Sequence, residues 1–279
     1  MVIYELRKTI KERLESALKD NAAFEADLII MNCTGMSKSE YVINSRKAVE
    51  ESIIKKVLDL AKRRALGEPI QYILGSAEFM SLEFKVDPHT LIPRSDTETL
   101  VEMAISRVGN RAVRILDVGT GSGCIGISVA HYCRNARVTL LDISREALTV
   151  AEENAVSNGV IERVDVTQTD IMSEIPEGKF DMILSNPPYI ESDVIPTLEC
   201  EVKDHEPLSA LDGGADGLMF YRRITGIIPY ILNKGGYLIF EIGYNQAEAV
   251  SEIMSENCRD IQIIKDLAGN DRVVIGEYE

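Results

Sequence analysis

Arg114-Ile115-Leu116-Asp117-Val118-Gly119-Thr120-Gly121-Ser122-Gly123-Cys124-Ile125-Gly126 runs an apolar strand into a glycine-rich turn and then into a helix expected to begin near Ser122. Glycines in such a turn accept positive φ and leave bare backbone against which a ligand can lie. Further on, the apolar Val138-Thr139-Leu140-Leu141 ends in Asp142, where a carboxylate suits a bidentate grip on ribose hydroxyls. From Thr97 onward helix and strand alternate, the pattern of a doubly wound α/β sheet. Strands are expected over 113–118, 137–142, 163–168, 180–185, 236–242, 260–265 and 271–277. The last two are joined by Ala268-Gly269-Asn270, which makes the final strand antiparallel. The expected fold is α/β: a Rossmann-like, mostly parallel seven-stranded sheet with a small N-terminal helical bundle.

The strand Phe180–Ser185 carries Asn186-Pro187-Pro188-Tyr189 at its carboxyl end, where ligands bind in open α/β sheets. Two prolines remove two backbone donors and fix two φ angles. The Asn186 amide then offers an oxygen acceptor and Tyr189 a flat apolar face. Such a site grips a planar NH2 group. The plainer alternative is a turn that only ends the strand.

Gly121-Ser122-Gly123-Cys124-Ile125-Gly126 also matches the dinucleotide fingerprint G-x-G-x-x-G, with Asp142 at a suitable offset, so a nicotinamide cofactor has to be weighed. Against it, the glycines begin at Gly119 and Asp117 stands just ahead of them, where a carboxylate repels phosphate. S-adenosylmethionine carries a sulfonium and an ammonium and no phosphate, and acidic surroundings favour it. The combined pattern fits S-adenosylmethionine better.

The chain has 279 residues, 45% of them hydrophobic, enough for one large domain and a small one. It contains no apolar run long enough to span a membrane, and Met1–Lys8 lacks a signal-peptide core. Cys33, Cys124, Cys133, Cys200 and Cys258 are odd in number and never at C-x-x-C spacing, which points to reduced thiols, a cytoplasmic location and no zinc. Three histidines, His89, His131 and His205, argue against a histidine-rich metal site. With a net charge of −15, and Lys62-Arg63-Arg64 as the best basic cluster, nucleic acid is disfavoured as a direct substrate. A basic protein partner suits the charge better.

Residues 1–70 read as four short amphipathic helices. Ile3, Leu6, Ile10, Leu14 and Leu18 share one face; Phe24, Leu28 and Met31 suggest a second helix, closed by Gly35. Ser37 with Glu40 resembles a capping box, and Val49, Ile53, Val57 and Ala61 mark a longer helix. This bundle is either a brace or a docking platform for a macromolecular substrate. Residues 71–92 are expected to link the lobes as a β-hairpin formed by Ile70–Gly75 and Leu82–Val86, and 93–279 to form the catalytic domain. The long polar loop 189–216, beside the tetrapeptide, is expected to be functional.

Asp117–Gly123 paired with Asn186–Tyr189 resembles class I methyltransferases that modify planar nitrogens. Leu91–Glu98, Glu206–Leu211 and Lys265–Arg272 narrow the resemblance, over nearly the whole chain, to the HemK/PrmC family of peptide chain release factor glutamine methyltransferases. Departures are Ser95 where the family often has proline, Met80 where it often has tryptophan, and Ile171 where an aromatic often follows the acidic residue. The resemblance implies methylation of the glutamine amide nitrogen in the Gly-Gly-Gln motif of class I release factors, with S-adenosylhomocysteine as product. It also implies cofactor binding by Asp117, Gly119, Thr120, Gly121, Ser122, Gly123, Asp142, Asp170, Ile171 and Asn186, with Asp170 beside the adenine. Asn186, Pro187, Pro188 and Tyr189 would hold the substrate, with Asn186, Pro187 and Tyr189 catalytic. An adenine-N6 DNA methyltransferase shares both motifs but needs a basic DNA-facing surface, and a non-catalytic binding module is expected to have lost the glycines or Asn186.

Overall fold

The structure, a computed structural model, describes residues 1–18 and 21–279. The chain divides into two compact units: Met1–Gly75 with Glu199–His205, and Ser76–Leu198 with Glu206–Glu279.

The first unit contains α1 (Ile3–Leu18), α2 (Ala22–Thr34), α3 (Lys38–Ile43), α4 (Glu51–Ala65) and α5 (Ile70–Leu74). Ile3, Leu6, Ile10 and Leu14 are buried, as their helical spacing demands. Gly35 closes α2 in the left-handed conformation, and Ser37 and Glu40 form the reciprocal capping box that opens α3. The buried face of α2 differs from the expected one. Phe24 is 63% exposed, whereas Ala22, Glu25, Ala26, Ile29 and Ile30 are buried. Glu25 turns inward because both of its carboxylate oxygens accept from the Arg64 guanidinium of α4, and a buried charge requires such pairing.

Ile70–Leu74 is a helix rather than the expected strand. Pro69 precedes it, Gly75 caps it in the left-handed conformation, and Ile73 packs into the helical core. The hairpin lies further on, as β1 (Ser76–Phe79) and β2 (Leu82–Lys85). It turns through Met80 and Ser81, both at positive φ (51° and 58°), the geometry that matches strand twist in two-residue hairpins. The first unit therefore ends at Gly75, not at residue 70, and it also takes in Glu199–His205.

The second unit continues with α6 (Glu98–Val108), β3 (Val113–Val118), α7 (Cys124–Tyr132), β4 (Ala136–Asp142), α8 (Arg145–Ser157), β5 (Val164–Gln168) and β6 (Phe180–Ser185). After the short α9 (Cys200–Lys203), which belongs to the helical unit, come α10 (Met219–Ile231), β7 (Leu232–Glu241), α11 (Ala247–Met254), β8 (Cys258–Lys265) and β9 (Asp271–Tyr278). The seven strands order as β5-β4-β3-β6-β7-β9-β8, with β9 antiparallel to both neighbours and the other pairings parallel. Central strands are apolar on both faces because both are covered. Ile115 joins the core beneath α6, α7 and α8, while Leu116 joins the core beneath α10 and α11. Among the described residues no helix is long and apolar enough to cross a membrane.

Candidate active site

Strand register assembles the site. Val118 pairs with Leu141 on one side and Ser185 on the other, so the next residues along each strand, Gly119, Asp142 and Asn186, emerge together. Asp142 pairs in turn with Gln168, which brings Thr169 and Asp170 alongside. The chain runs outward from β3 through β4 to β5 and then returns to β6 on β3's other flank. This is the topological switch point where open α/β sheets bind ligands. A cavity of about 460 Å³ opens there. Of the expected residues it is lined by Gly119, Gly121, Asp142, Asp170, Ile171, Asn186, Pro187 and Pro188.

Gly119 and Gly121 hold φ of 70° and 54°; nothing lies within 4 Å of where a side chain would sit on Gly119, and only the Leu91 amide nitrogen, at 4.0 Å, on Gly121. The turn thus presents bare backbone to the cavity. Asp142 Oδ2 accepts from the Gly121 amide and Oδ1 from the Ser144 amide, each at 2.9 Å. Burial raises its pKa despite those donors. Asp170 Oδ1 accepts from the Met172 amide (2.9 Å) and Oδ2 from the Ser173 hydroxyl (2.8 Å). That pairing fixes the turn in which Ile171 lies.

Asp117, Thr120, Ser122 and Gly123 do not line the cavity. Asp117 is wholly buried beneath the turn, where Oδ2 accepts from the Thr120 hydroxyl (2.6 Å) and the Gly126 amide (2.9 Å). Desolvation pushes its carboxyl up to about 6 against those hydrogen bonds. The Ser122 carbonyl accepts from Asn154 Nδ2 of α8 at 2.9 Å. These residues shape the turn from behind the cavity wall. Tyr189 is also absent from the cavity wall. It is partly buried against the apolar cluster containing Tyr221 and Phe240.

The tetrapeptide is held from several sides. Ser185 Oγ donates to the Val118 carbonyl at 2.7 Å. Gln246 Nε2 donates to the carbonyls of Tyr189 (3.0 Å) and Gly217 (3.3 Å). A side chain at Gly217 would lie 2.3 Å from the Tyr189 carbonyl oxygen, so only glycine lets the returning loop approach. The Gly213 amide donates to the Ile190 carbonyl at 2.8 Å. The three stretches that narrowed the sequence resemblance meet around this point. Arg94 pairs with Glu206, Arg272 bridges Asp96 and Asp266 at 3.1 Å each, and Asn186 Nδ2 donates to Thr97 Oγ1 at 3.4 Å.

Thr97, Gln246 and Glu241 were not singled out from sequence. Glu241 ends β7 and is 2% exposed, and its Oε2 has no hydrogen-bond partner among the described residues. Burial pushes its carboxyl up to about 7. An acidic residue ending an apolar strand is the signal that marked Asp142, and it was present at Glu241 too.

The cavity lining includes Asp142, Asp170 and Asp212 and no lysine or arginine. A polyphosphate would meet only repulsion there, whereas a cationic ligand free of phosphate fits. Residues 95–198 match the methyltransferase small domain, and residues 5–75 the PrmC N-terminal domain. The chain is 39% identical over 259 residues to a release factor glutamine methyltransferase of Geobacter sulfurreducens, covering 92% of this chain and 90% of that protein. It is 42% identical over 238 residues to one from Clostridium acetobutylicum, covering 84% of each. A solved methyltransferase structure from Pyrococcus furiosus shares the fold, with a TM-score of 0.54 at 19% identity over 78% of this chain and 98% of that one.

Proposed function

Because this chain belongs to the release factor glutamine methyltransferase family, we propose that it methylates the side-chain amide nitrogen of the Gly-Gly-Gln glutamine of class I release factors, using S-adenosylmethionine. The observation that carries this reading is the register that sets Gly119, Asp142 and Asn186 around one acidic cavity at the sheet's switch point. Identity to the relatives runs through the helical and sheet units alike, which favours this substrate over the adenine of DNA.

The cofactor fits the residues present. Gly119 and Gly121 offer backbone, Asp142 a carboxylate for the ribose, Asp170 an acceptor for the adenine amine, and Ile171 an apolar face. Bound there, S-adenosylmethionine supplies an electrophilic methyl group and leaves as S-adenosylhomocysteine. An amide nitrogen is a poor nucleophile because its lone pair is delocalised into the carbonyl. Asn186 Oδ1 and the Pro187 carbonyl, accepting the two amide hydrogens, orient that nitrogen and raise its electron density. The Tyr189 ring flanks the amide outside the cofactor cavity. Preorganised placement of this kind removes roughly 7–11 kcal/mol of barrier. Acceptors aimed at the positive charge developing on nitrogen add to it. The amide proton departs after transfer and needs no dedicated base. The reaction belongs in the cytoplasm, with its translation substrate. Mass spectrometry of release factor incubated with enzyme and labelled cofactor tests the reading. A single labelled methyl on the motif glutamine is expected, and an unmodified glutamine rejects it.

Asp142→Ala should cost about 1.5–3 kcal/mol of S-adenosylmethionine affinity, the scale of hydrogen bonds to a charged group. The same change frees the Gly121 amide from its acceptor. Calorimetry that finds NADH bound and S-adenosylmethionine unbound by the wild type would overturn the cofactor assignment.

The helical unit is the docking platform in this reading, and its exposed Phe24 and Ile43 offer apolar anchors. Phe24→Ser with Ile43→Ser should raise KM for release factor and leave cofactor affinity unchanged. An unaltered KM would leave the unit as a plain brace. Deleting residues 1–70 is a poorer test, because it cuts ahead of α5 and strips Glu199–His205 of its packing partners.

A further inference from the structure

Gln246 stands just ahead of α11, outside the cavity wall, with 9% of its surface exposed. Its side-chain amide is committed at both ends. Oε1 accepts from the Gly243 amide at 3.0 Å. Nε2 donates to the Tyr189 carbonyl at 3.0 Å and to the Gly217 carbonyl at 3.3 Å. A backbone amide can only donate and a carbonyl can only accept, so these partners permit one orientation of the Gln246 amide.

The tetrapeptide needs such a grip. Pro187 and Pro188 lack the backbone N–H by which a loop is ordinarily tied down, so the stretch is fixed from its two ends. At the strand end, Ser185 Oγ donates to the Val118 carbonyl at 2.7 Å. At the loop end, the Tyr189 carbonyl accepts from Gln246, and the Ile190 amide donates to the Leu211 carbonyl at 3.1 Å. The rings hold φ at both prolines. The direction of the Pro187 carbonyl then follows from where the two ends are held.

We propose that Gln246 is a positioning residue for methyl transfer, which by gripping the Tyr189 carbonyl aims the Pro187 carbonyl at the substrate amide. The inference rests on the reading of that carbonyl as the acceptor for one amide hydrogen. The part of the returning loop that lines the cavity is tied without Gln246. The Gly214 amide donates to Asp212 Oδ1 at 2.9 Å, the Ser192 amide to the Gly214 carbonyl at 3.0 Å, and the Met219 amide to the Gly213 carbonyl at 3.2 Å. Loss of the grip therefore falls on turnover and spares cofactor binding.

The test combines steady-state kinetics of the full chain on release factor with calorimetry of S-adenosylhomocysteine binding. Gln246→Met keeps most of the side-chain volume and gives up both donated hydrogen bonds. It should lower kcat about 10- to 10²-fold, the cost of a misplaced reacting group. KM for S-adenosylmethionine and affinity for S-adenosylhomocysteine should stay at the wild-type values. Combined with Asn186→Ala, it should cost less than the product of the two single losses, because both changes act on one substrate amide. Gly243→Ala leaves the glutamine in place but sets a Cβ 3.0 Å from Gln246 Oε1, so the amide must shift. It should give a smaller loss of kcat, about 3- to 10-fold, with the same unchanged cofactor affinity. Circular dichroism checks that each variant is folded, and Gly243→Ala decides the matter if Gln246→Met is not. A folded variant with wild-type kcat overturns the proposal. So does a loss of cofactor affinity as large as the loss of turnover, which would make Gln246 a brace of the cavity. No methylation by the wild type would sink the methyltransferase reading and this proposal with it.

Discussion

Asn186→Ala should lower kcat by about 10²–10³-fold, the cost of losing one preorganised partner of the reacting group. S-adenosylmethionine affinity should stay close to wild type. The residue reaches its place through the pairing of Val118 with Ser185, which sets Asn186 beside Gly119. The alanine variant keeps that register, the rigid prolines and the Ser185 hydrogen bond to Val118. It loses the proposed acceptor and the 3.4 Å hydrogen bond from Nδ2 to Thr97. Asn186→Asp retains an acceptor oxygen and adds a charge near the sulfonium, so it should keep more turnover than alanine. Some loss of cofactor affinity is compatible with this, because Asn186 also lines the cavity at the sheet's switch point. The comparison is read from single-turnover rates with saturating cofactor and release factor. Alanine turning over at the wild-type rate would show that the amide is oriented by other groups.

Arg64→Met should destabilise the helical unit by roughly 3–5 kcal/mol, the usual cost of breaking a buried ion pair from one side. Arg64 and Glu25 are both buried. The guanidinium also donates to Glu201 at 2.8 Å and to the Glu68 carbonyl at 3.1 Å. Methionine fills most of the volume but leaves Glu25 buried without its Arg64 counter-ion. Adding Glu25→Leu should recover much of the loss, since an apolar pair of similar size is often as stable as the buried ions. Urea denaturation followed by circular dichroism reads both changes. A loss under about 1 kcal/mol for the single variant would mean that these charges behave like a surface pair.

Parallel strands buried on both faces read as apolar runs, and their chemistry sits where each run ends. That is why Gly119, Asp142 and Asn186 were legible from sequence, and register then brought them together. Glu241 lay at the end of such a run too, but only the folded sheet shows that it is buried there with an oxygen that nothing donates to. Asp117 carries a charge that favours a cationic ligand; nothing in a linear sequence says that Thr120 and Gly126 both donate to one of its oxygens beneath the turn. Ile70–Leu74 is short and apolar, so periodicity does not separate strand from helix there. Pro69 and the Gly75 cap decide it. On α2, the apolar Phe24 pattern lost to a buried acid because Arg64 on another helix was waiting for Glu25.

The loop after the tetrapeptide leaves the sheet unit at Glu199 and returns to it at Glu206, and the intervening residues complete the helical unit. The N-terminal helices are therefore not an independent cassette. A recombination event that exchanged residues 1–75 between relatives would bring in Arg64 with Glu25 and leave the position of Glu201 to the other parent. Such a hybrid would take the short segment that completes the unit from the other parent. One guanidinium therefore ties together acids at positions 25 and 201 that lie on opposite sides of the glycine turn and the tetrapeptide in sequence.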